Sequence, residues 1–575
     1  MPYGLYGMLK KMEQSTDINK SAKSVESDMD TNFANEIAEL CYSKYMNLPK
    51  TGKPKEGREW THVAGIVVAD GWQRRSDRSS NVPKYVVALG TGSKCIGKSK
   101  MSPTGDILND SHAEVMARRG FLRYLYDQVL MTYQTGSSEI FKCFSGGKCV
   151  VKNNITFHFF TSHVPCGDAS IIPKVPFSEN DVGLCLKCGT EQSVQCHARH
   201  STCLCVSAPT EHLNCNFSRG NAASEMAVQT MQGEECNVSR QANCNKRKCC
   251  NIEWCDEEND SKYMKANSSA GRANMCSGKE RSVMNNNVQR PEVPVSGDIY
   301  RTGAKCLPFQ SLQDSHLPGA YYHVVGALRT KPGRGEPTQS LSCSDKFARW
   351  NVVGLQGALL SLLLNEPLYF QSVIVGGGGP FSEMSLKRAI IDRLIYQPNG
   401  RKNSSEDKEM DRGSSLSEGL SLPSKYGVHY PLILQSTLPF KHAPMPNGVK
   451  QPCASSIVWC KVPQRALEVA VEGKKQGITK KVAHTSAGRL FICKKELLRQ
   501  FVNAVLLMPA AALHLPTVLK MSDLTEIEQC LVKIPYRQLK NLSDDYKRAW
   551  NTVRAACFPS WTAKCESLQC FSLAN

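Results

Sequence analysis

Apolar positions along the chain recur with two periods, and these predict alternating strands and helices. Ile37, Ala38, Leu40 and Cys41 fall at helical spacing within 34–46, which predicts a helix. Short β-branched runs bounded by polar segments predict strands, and they lie at 62–69, 84–89, 155–162, 372–375 and 456–462. Helix-like segments lie at 111–129, 346–364, 494–507 and 536–554. Strands that alternate with helices indicate an α/β or α+β domain.

Three polar stretches lack this periodicity. Residues 1–33 are patternless, and we expect a disordered tail there. From about 177 to 297 the chain is rich in Ser, Asn, Gln and Cys, which predicts a disordered insert. A polar loop is predicted at about 399–423. The remaining sequence is then one catalytic domain over 34–575, interrupted by two loops.

Charge and cysteine content limit the class of protein. The 575 residues include 71 Lys plus Arg against 52 Asp plus Glu, a net charge of +19, so we expect an anionic partner. A hydrophobic fraction of 41% is enough for a core and excludes full disorder. No secretory signal is visible at 1–12, and apolar stretches such as 501–519 are too broken to span a membrane. We expect an intracellular protein, in the nucleus or cytoplasm, whose 26 cysteines are thiols or metal ligands.

The sharpest local motif is Asn109–Glu114 at the start of a predicted helix. Asp110 or Ser111 is the predicted N-cap, which leaves His112 in the first turn and Glu114 two residues further on. His-x-Glu followed downstream by Pro-Cys is typical of zinc nucleobase deaminases. In such sites one His and two Cys bind zinc, and the Glu transfers protons without binding the metal.

The cysteine part of this pattern is incomplete. Pro165–Cys166 follows a predicted strand, but position 169 is Ala and the next cysteine is Cys185. A three-ligand site therefore needs a thiolate from elsewhere, and Cys343, just before an amphipathic segment, is the best candidate.

A competing zinc knuckle lies in the polar insert. Its spacing matches no finger, and little apolar sequence surrounds it, so we favour thiols without a metal there. The residues of this alternative are Cys185, Cys188, Cys196, His197, His200, Cys203 and Cys205.

Three stretches together resemble the adenosine deaminases acting on RNA and their tRNA-specific relatives. They are LNDSHAEVMARR, SHVPCGDASII and SCSDKFARWNVVGLQGALL, and they are joined by DIYRTGAKC and LRTKPGRGEPTQS, which resemble the tRNA branch. The resemblance covers about 34–170 and 298–565. It implies a cytidine-deaminase-like three-layer α/β domain, with a central mixed sheet flanked by helices and family-specific C-terminal elements. It also implies His112, Cys166 and Cys343 as zinc ligands and Glu114 as the proton shuttle.

Basic side chains scattered over the chain suggest a second ligand. Lys346 and Arg349 lie beside a predicted metal ligand and an apolar helix, and buried cations need an anionic partner. The alternative is that such residues line solvated helix faces or contact RNA. The resemblance implies a buried inositol hexakisphosphate bound by Asn109, Arg118, Arg119, Lys346, Arg349, Trp350, Lys494, Lys540, Tyr546, Trp561 and Lys564. Ala358 and Trp550 depart from the family pattern, where a hydroxyl and a lysine are expected.

The leading functional expectation is zinc-dependent hydrolytic deamination of adenosine to inosine in tRNA. The resemblance points to adenosine 37, beside the anticodon of alanine tRNA. Deamination of double-stranded RNA is disfavoured because only about 33 residues precede the domain, too few for a module that spans ~16 base pairs. A catalytically inactive RNA-binding scaffold is disfavoured because Glu114 and the three ligands are all present. We expect tRNA as partner, without a membrane or an obligate protein partner.

Overall fold

A mixed β-sheet of eight strands lies at the centre of the fold. The computed structural model describes residues 28–73, 82–144, 147–173, 299–300, 302–308, 310, 313–314, 323–332, 337–395, 421–444, 451–479, 481–482, 485–508 and 524–574. All of these residues belong to one compact unit. The strands in these ranges are β1 (Glu59–Trp60), β2 (Val63–Asp70), β3 (Lys84–Thr91), β4 (Ser93–Cys95), β5 (Asp110–His112), β6 (Phe141–Cys143), β7 (Cys149–Val151), β8 (Ile155–Thr161), β9 (Ile172–Pro173), β10 (Ile299–Tyr300), β11 (Lys305–Cys306), β12 (Arg329–Thr330), β13 (Ser372–Gly377), β14 (Leu432–Pro439), β15 (Gln451–Pro452), β16 (Ser455–Cys460), β17 (Leu467–Val471) and β18 (Lys474–Lys475).

The central sheet has the strand order β14-β13-β8-β2-β3-β16-β17-β18. Strand β13 runs parallel to β8 and β14. The pairs β8–β2, β2–β3, β3–β16, β16–β17 and β17–β18 are antiparallel. All five predicted strands lie in this sheet, which confirms them.

Helices cover both faces of the sheet. They are α1 (28–46), α2 (Ala113–Thr135), α3 (Cys343–Val353), α4 (Gly357–Leu360), α5 (Glu383–Lys387), α6 (Arg393–Ile395), α7 (Lys494–Leu507), α8 (Leu524–Lys533), α9 (Tyr536–Asn541) and α10 (Asp544–Cys557). A π-helical turn, Arg388–Asp392, joins α5 to α6, and 3₁₀ turns lie at Lys98–Lys100, Asp168–Ser170 and Glu566–Gln569.

One face of the sheet packs against α1. Val63 and Val67 of β2 share an apolar cluster with Phe33 and Ile37 of this helix. The helix already includes residues 28–33, so the prediction that the disordered tail extends to residue 33 is wrong there. Phe33 explains the difference, because burial of its ring against Trp72 stabilises the ordered start of the helix.

The opposite face packs against α2. Ala64 and Ile66 of β2 point into a cluster with Met116 and Phe121, as the alternation of side chains along a strand requires. At Gly90 of β3 a side chain would overlap the backbone of α2, so glycine is what permits this close approach.

Two predicted helices are each divided in the structure. The segment 346–364 is α3 and α4, because Gly354 has φ +78° and ends the first helix. The segment 536–554 is α9 and α10. Helix α10 packs on α3, where Ala549 and Val553 join one apolar cluster with Ala348.

The predicted insert at 177–297 and most of the polar loop at 399–423 lie outside the described residues, as do the cysteines of the alternative zinc knuckle. Of the helices that the structure describes, none is long and apolar enough to cross a membrane.

Candidate active site

The end of β5 and the start of α2 position the first candidate zinc ligand and the candidate proton shuttle. His112 is the last residue of β5 and occupies the cap position of α2, without a capping side-chain hydrogen bond. The prediction that Asp110 or Ser111 caps this helix is therefore wrong. Asp110 instead accepts a hydrogen bond from the His112 backbone N–H at 3.0 Å, which fixes the turn into the helix. Glu114 follows in the first helical turn.

The two candidate cysteines come from separate parts of the chain. Cys166 lies in the loop after β8, and Cys343 is the first residue of α3. Ser342 caps α3 by accepting a hydrogen bond from the Asp345 N–H at 3.1 Å. The Cys343 N–H then lies 3.4 Å from the Cys166 sulfur, so the start of α3 faces the other thiol.

His112, Cys166 and Cys343 are brought together with a geometry that fits zinc. Their ligand atoms all lie within 4.8 Å of one another. The His112 Nδ1 atom is 3.8 Å from each of the two sulfur atoms. Tetrahedral zinc with Zn–N near 2.0 Å and Zn–S near 2.3 Å needs a separation of about 3.5 Å. Three protein ligands leave one position open, as in catalytic rather than structural zinc sites.

Local electrostatics favour a thiolate at this site. A hydrogen bond from Cys343 lowers the pKa of the Cys166 thiol well below its usual range, and the charges of Lys331 and His112 lower it further. A thiolate is the form of cysteine that binds a metal.

Glu114 is a buried carboxyl group beside these ligands. Its side chain is 6% exposed, and burial raises its pKa above the ordinary value, against the opposing charges of His112 and Lys331. A carboxyl group with a raised pKa gives up and regains a proton more readily near neutral pH, which suits general acid–base chemistry.

A buried chain of charges connects the ligand cluster to a second cluster of cations. The Lys331 ammonium lies 3.0 Å from the Cys343 sulfur and 2.9 Å from an Asp110 carboxylate oxygen. Asp110 also pairs with Lys346. The roles of Lys331 and Asp110 were missed from sequence, although Lys331 lies within a stretch that carried the family resemblance.

The predicted polyanion residues also converge. Cations from four helices and the C-terminal segment are close enough to lower one another's pKa values, and most of their hydrogen-bond partners are uncharged carbonyl or amide oxygens. Arg118 donates to the Leu355 carbonyl at 2.7 Å, Lys494 to the Leu568 carbonyl at 2.9 Å, and Lys540 approaches the Gln569 amide oxygen at 3.5 Å. The cluster comprises Arg118, Arg119, Lys346, Arg349, Lys494, Lys540 and Lys564. We call it the cation cluster.

The pKa values of the cation cluster reflect burial first and mutual repulsion second. Burial and neighbouring cations lower the pKa of Lys494 and of Lys540 to about 8. The surrounding protein and nearby cations lower the pKa of Lys564 to about 7, although its side chain keeps access to solvent. Like charges held together in this way favour a bound anion.

The aromatic members of the predicted set arrange one of these cations. Arg349 stacks over Trp550 at 4.3 Å and lies 5.9 Å from Trp561, and its guanidinium donates to the Tyr546 hydroxyl at 3.4 Å. Trp550, where the family pattern has a lysine, thus contributes a cation–π contact. Of the remaining predicted residues, Trp350 stacks with Arg118 at 4.9 Å, and the Asn109 carbonyl accepts a hydrogen bond from the Ile96 N–H.

Sequence reasoning also missed a stacked histidine pair. The rings of His62 and His163 are parallel to within 6°, with centroids 4.9 Å apart. Burial lowers the pKa of both, and the charge of His112 contributes for His62. The pair therefore offers flat, neutral rings near the ligand cluster.

Comparison with known proteins identifies the class. The model of the adenosine-deaminase (editase) domain family matches residues 88–565. The chain therefore belongs to this family, and it is an enzyme that deaminates adenosine.

Individual relatives confirm the resemblance to the tRNA-specific branch. The chain is 36% identical over 543 residues to a Macaca fascicularis protein named tRNA-specific adenosine deaminase 1, with 92% of this chain and 97% of the relative covered. The Homo sapiens protein of that name is 36% identical over 549 residues, with the same coverage. The double-stranded RNA-specific adenosine deaminase of Mus musculus is 24% identical over 417 residues, which is 72% of this chain but only 24% of that relative.

Proposed function

We propose that the protein is a zinc-dependent hydrolytic deaminase that converts adenosine to inosine in tRNA. The observation that carries the proposal is the convergence of His112, Cys166 and Cys343 beside the buried Glu114. The near-complete coverage of the relatives named tRNA-specific adenosine deaminase 1 supports tRNA as the substrate class.

Each side chain then has a distinct task. His112, Cys166 and Cys343 would hold the zinc ion, which, when bound, acts as a Lewis acid that activates water near neutral pH. Glu114 accepts a proton from the attacking water and delivers it to N1 of adenine. It then takes the second proton, from the hydroxyl group newly bound to C6, and passes it to the amino group, which departs as ammonia. Burial and the neighbouring Cys166 raise the pKa of the Cys343 thiol well above its usual range, and the Lys331 ammonium 3.0 Å away opposes this shift. The neutral rings of His62 and His163 suit stacking with an unpaired base.

The finer parts of the proposal concern the fold and the target base. Helices on both faces of the mixed sheet support a cytidine-deaminase-like three-layer domain. The target is adenosine 37 of alanine tRNA, beside the anticodon. A loop base of this kind is unstacked at small cost, which a deaminase needs in order to reach the ring.

We also propose inositol hexakisphosphate as the ligand of the cation cluster. Its phosphates match the forked arginine and compact lysine donors gathered there. Bound in this position, it would neutralise the repulsion that lowers the lysine pKa values.

The decisive experiment is to incubate the purified protein with total tRNA and to sequence for adenosine-to-inosine conversion. We expect conversion at position 37 of alanine tRNA and about one zinc per chain. Replacing Cys343 with Ser should remove both, whereas replacing Cys185 and Cys188 together should remove neither. Loss of zinc from the Cys185/Cys188 variant would show that the ligands are misassigned, and conversion only in duplex RNA would replace the tRNA proposal with the double-stranded RNA alternative.

A further inference from the structure

The two cysteine ligands lie on loops that lock into each other. The Ser344 hydroxyl donates to the Cys166 carbonyl at 2.9 Å and accepts from the Ala169 N–H at 3.1 Å. The Ser344 N–H also donates to the Cys166 carbonyl at 3.0 Å. These hydrogen bonds hold the loops together, but they do not connect the loops to the rest of the fold.

Arg388 connects the Cys166 loop to the rest of the fold, together with the hydrogen bond from the Gly167 N–H to the Thr302 hydroxyl at 2.9 Å. Asp168, two residues beyond Cys166, is fully buried. Arg388 Nε donates to its carboxylate at 3.0 Å, and Arg388 Nη2 donates to its carbonyl at 2.8 Å. The second carboxylate oxygen accepts from the Gly326 N–H at 2.6 Å. The loop is therefore held through both the carboxylate and the backbone carbonyl of Asp168.

A second arginine makes the same connection for the Cys343 end of α3. Asp345, two residues beyond Cys343, is also fully buried. Arg393 Nη1 donates to one oxygen of its carboxylate at 2.7 Å. The other oxygen accepts from the Ser342 hydroxyl at 2.7 Å and from the Arg329 N–H at 3.0 Å.

The two arginines are aligned by the π-helical turn between α5 and α6. In an α-helix, residues five apart point about 140° away from each other, at 3.6 residues per turn. Here the Arg393 N–H bonds to the Arg388 carbonyl, an i→i+5 hydrogen bond that stacks one arginine above the other. Each can then reach one of the two ligand loops.

We propose that Arg388 and Arg393 are positioning residues that set the separation of the two sulfur ligands, through Asp168 and Asp345. The inference rests on the proposed zinc site, since it assigns to these pairs the task of presenting Cys166 and Cys343 at zinc-binding distance. Groups that orient metal ligands in this way commonly change metal affinity by ~10–100-fold when they are replaced.

The test measures zinc release, which needs no tRNA. Zinc-loaded full-length protein is mixed with a chromophoric chelator, and the rate constant of release is recorded for Arg388→Met and Arg393→Met. We expect at least tenfold faster release than wild type for each, and an intermediate rate for Arg393→Lys, which keeps the charge without the fork. In cobalt-loaded protein, the visible bands of the tetrahedral site should shift in the methionine variants.

Arg465→Met is the matched control, because Arg465 pairs with the buried Glu468 on β17 and touches neither loop. Asp168→Asn and Asp345→Asn preserve side-chain shape and should reproduce the arginine effects. Thermal unfolding of each metal-free variant checks that the fold is retained at the assay temperature. If Arg388→Met and Arg393→Met release zinc at rates within twofold of the Arg465→Met rate, the inference is overturned. It is also overturned if the wild-type protein binds no zinc. If the wild-type protein binds zinc and the variants release it faster as expected, but the wild type does not deaminate tRNA, only the proposed function is contradicted.

Discussion

Burial gives Glu114 a different chemistry from that of a surface glutamate. The carboxyl group lies inside the fold next to the metal-ligand cluster, and its pKa is raised by loss of solvent. Deprotonating it costs more there than in water, so the group can return a proton during the reaction. Its position in the first turn of α2 sets it close to the ligands without making it one of them.

Replacement of Glu114 with Ala should therefore abolish turnover while leaving zinc and tRNA binding intact. The loss of a general acid–base is typically worth ~10²–10⁴-fold in rate. The measurements are single-turnover deamination, zinc content and tRNA affinity. Glu139→Ala is the control, because Glu139 is partly exposed and pairs with Lys461 at 2.6 Å. Activity of the Glu114 variant within tenfold of wild type would exclude the proton-shuttle role.

At the scale of elements, the approach of α2 to β3 fixes where the active-site turn lies. Gly90 has no side chain where the backbone of Ala113 and Ala117 comes closest to the strand. This contact sets the depth of the first turn of α2, which carries Glu114 and follows His112. An added methyl group must push the helix away from the sheet.

Gly90→Ala should accordingly destabilise the protein by about 1–3 kcal/mol, the usual cost of overpacking a filled core. Gly427→Ala is the matched control, since a side chain there would have open space, and its stability should change by less than about 1 kcal/mol. Urea unfolding of both variants gives the comparison. Equal midpoints for the two substitutions would show that α2 can move without cost.

At the scale of the whole molecule, the cation cluster joins parts that are distant in sequence. Lys494 of α7, Lys540 of α9 and Lys564 near the C-terminus interact with one another and with Arg119 of α2. Each comes from a different part of the chain, so one polyanion bound among them would tie the C-terminal helices to the helix that begins at the active site.

Removing that polyanion should make the stability of the protein rise with pH. The folded lysine pKa values of about 8, 8 and 7 lie below the ordinary 10.5. Between about pH 7 and 10.5 the unfolded chain then binds more protons than the folded chain, so the stability of ligand-free protein rises with pH. Bound phosphates keep the lysines protonated and remove this rise.

The protein is made in cells that cannot synthesise inositol hexakisphosphate. Its thermal unfolding midpoint is then measured at pH 7 and at pH 9, with and without added inositol hexakisphosphate. We expect the ligand-free midpoint to increase with pH, and the ligand to raise the midpoint most at pH 7. Lys441→Met, whose exposed ammonium pairs with Glu56 rather than with the cation cluster, should show the wild-type pattern. Equal pH dependence with and without ligand would exclude a polyanion at this position.

Substrate choice also belongs to the whole molecule. A net charge of +19 attracts any RNA, and this attraction weakens steeply as the salt concentration rises. Charge alone therefore does not select tRNA. We expect folded tRNA to be deaminated at least tenfold faster than an isolated anticodon stem-loop, with a perfect duplex slower still. Initial rates on the three RNAs at one salt concentration provide the measurement. A duplex processed as fast as folded tRNA would contradict this order.

The local features of the protein could be predicted from the order of residues within single segments. Short β-branched runs bounded by polar segments predicted the five sheet strands, because residue type is a property of each segment alone. The same is true of the motifs around His112 and Cys166, whose spacing and residue types indicate zinc deaminase chemistry before any fold is known. Cys343 was the best candidate for the missing thiolate because it precedes an amphipathic segment, and the family resemblance implies the same role.

Contacts between distant segments could be found only from the folded structure. Lys331 gains its role from a sulfur atom and a carboxylate supplied by other loops. Arg388 and Arg393 act together because of a π-helical turn that no apolar pattern predicted, and Phe33 is ordered because the sheet offers it a buried position. These features depend on three-dimensional neighbours, and burial and charge pairing are set by those neighbours rather than by position in the sequence.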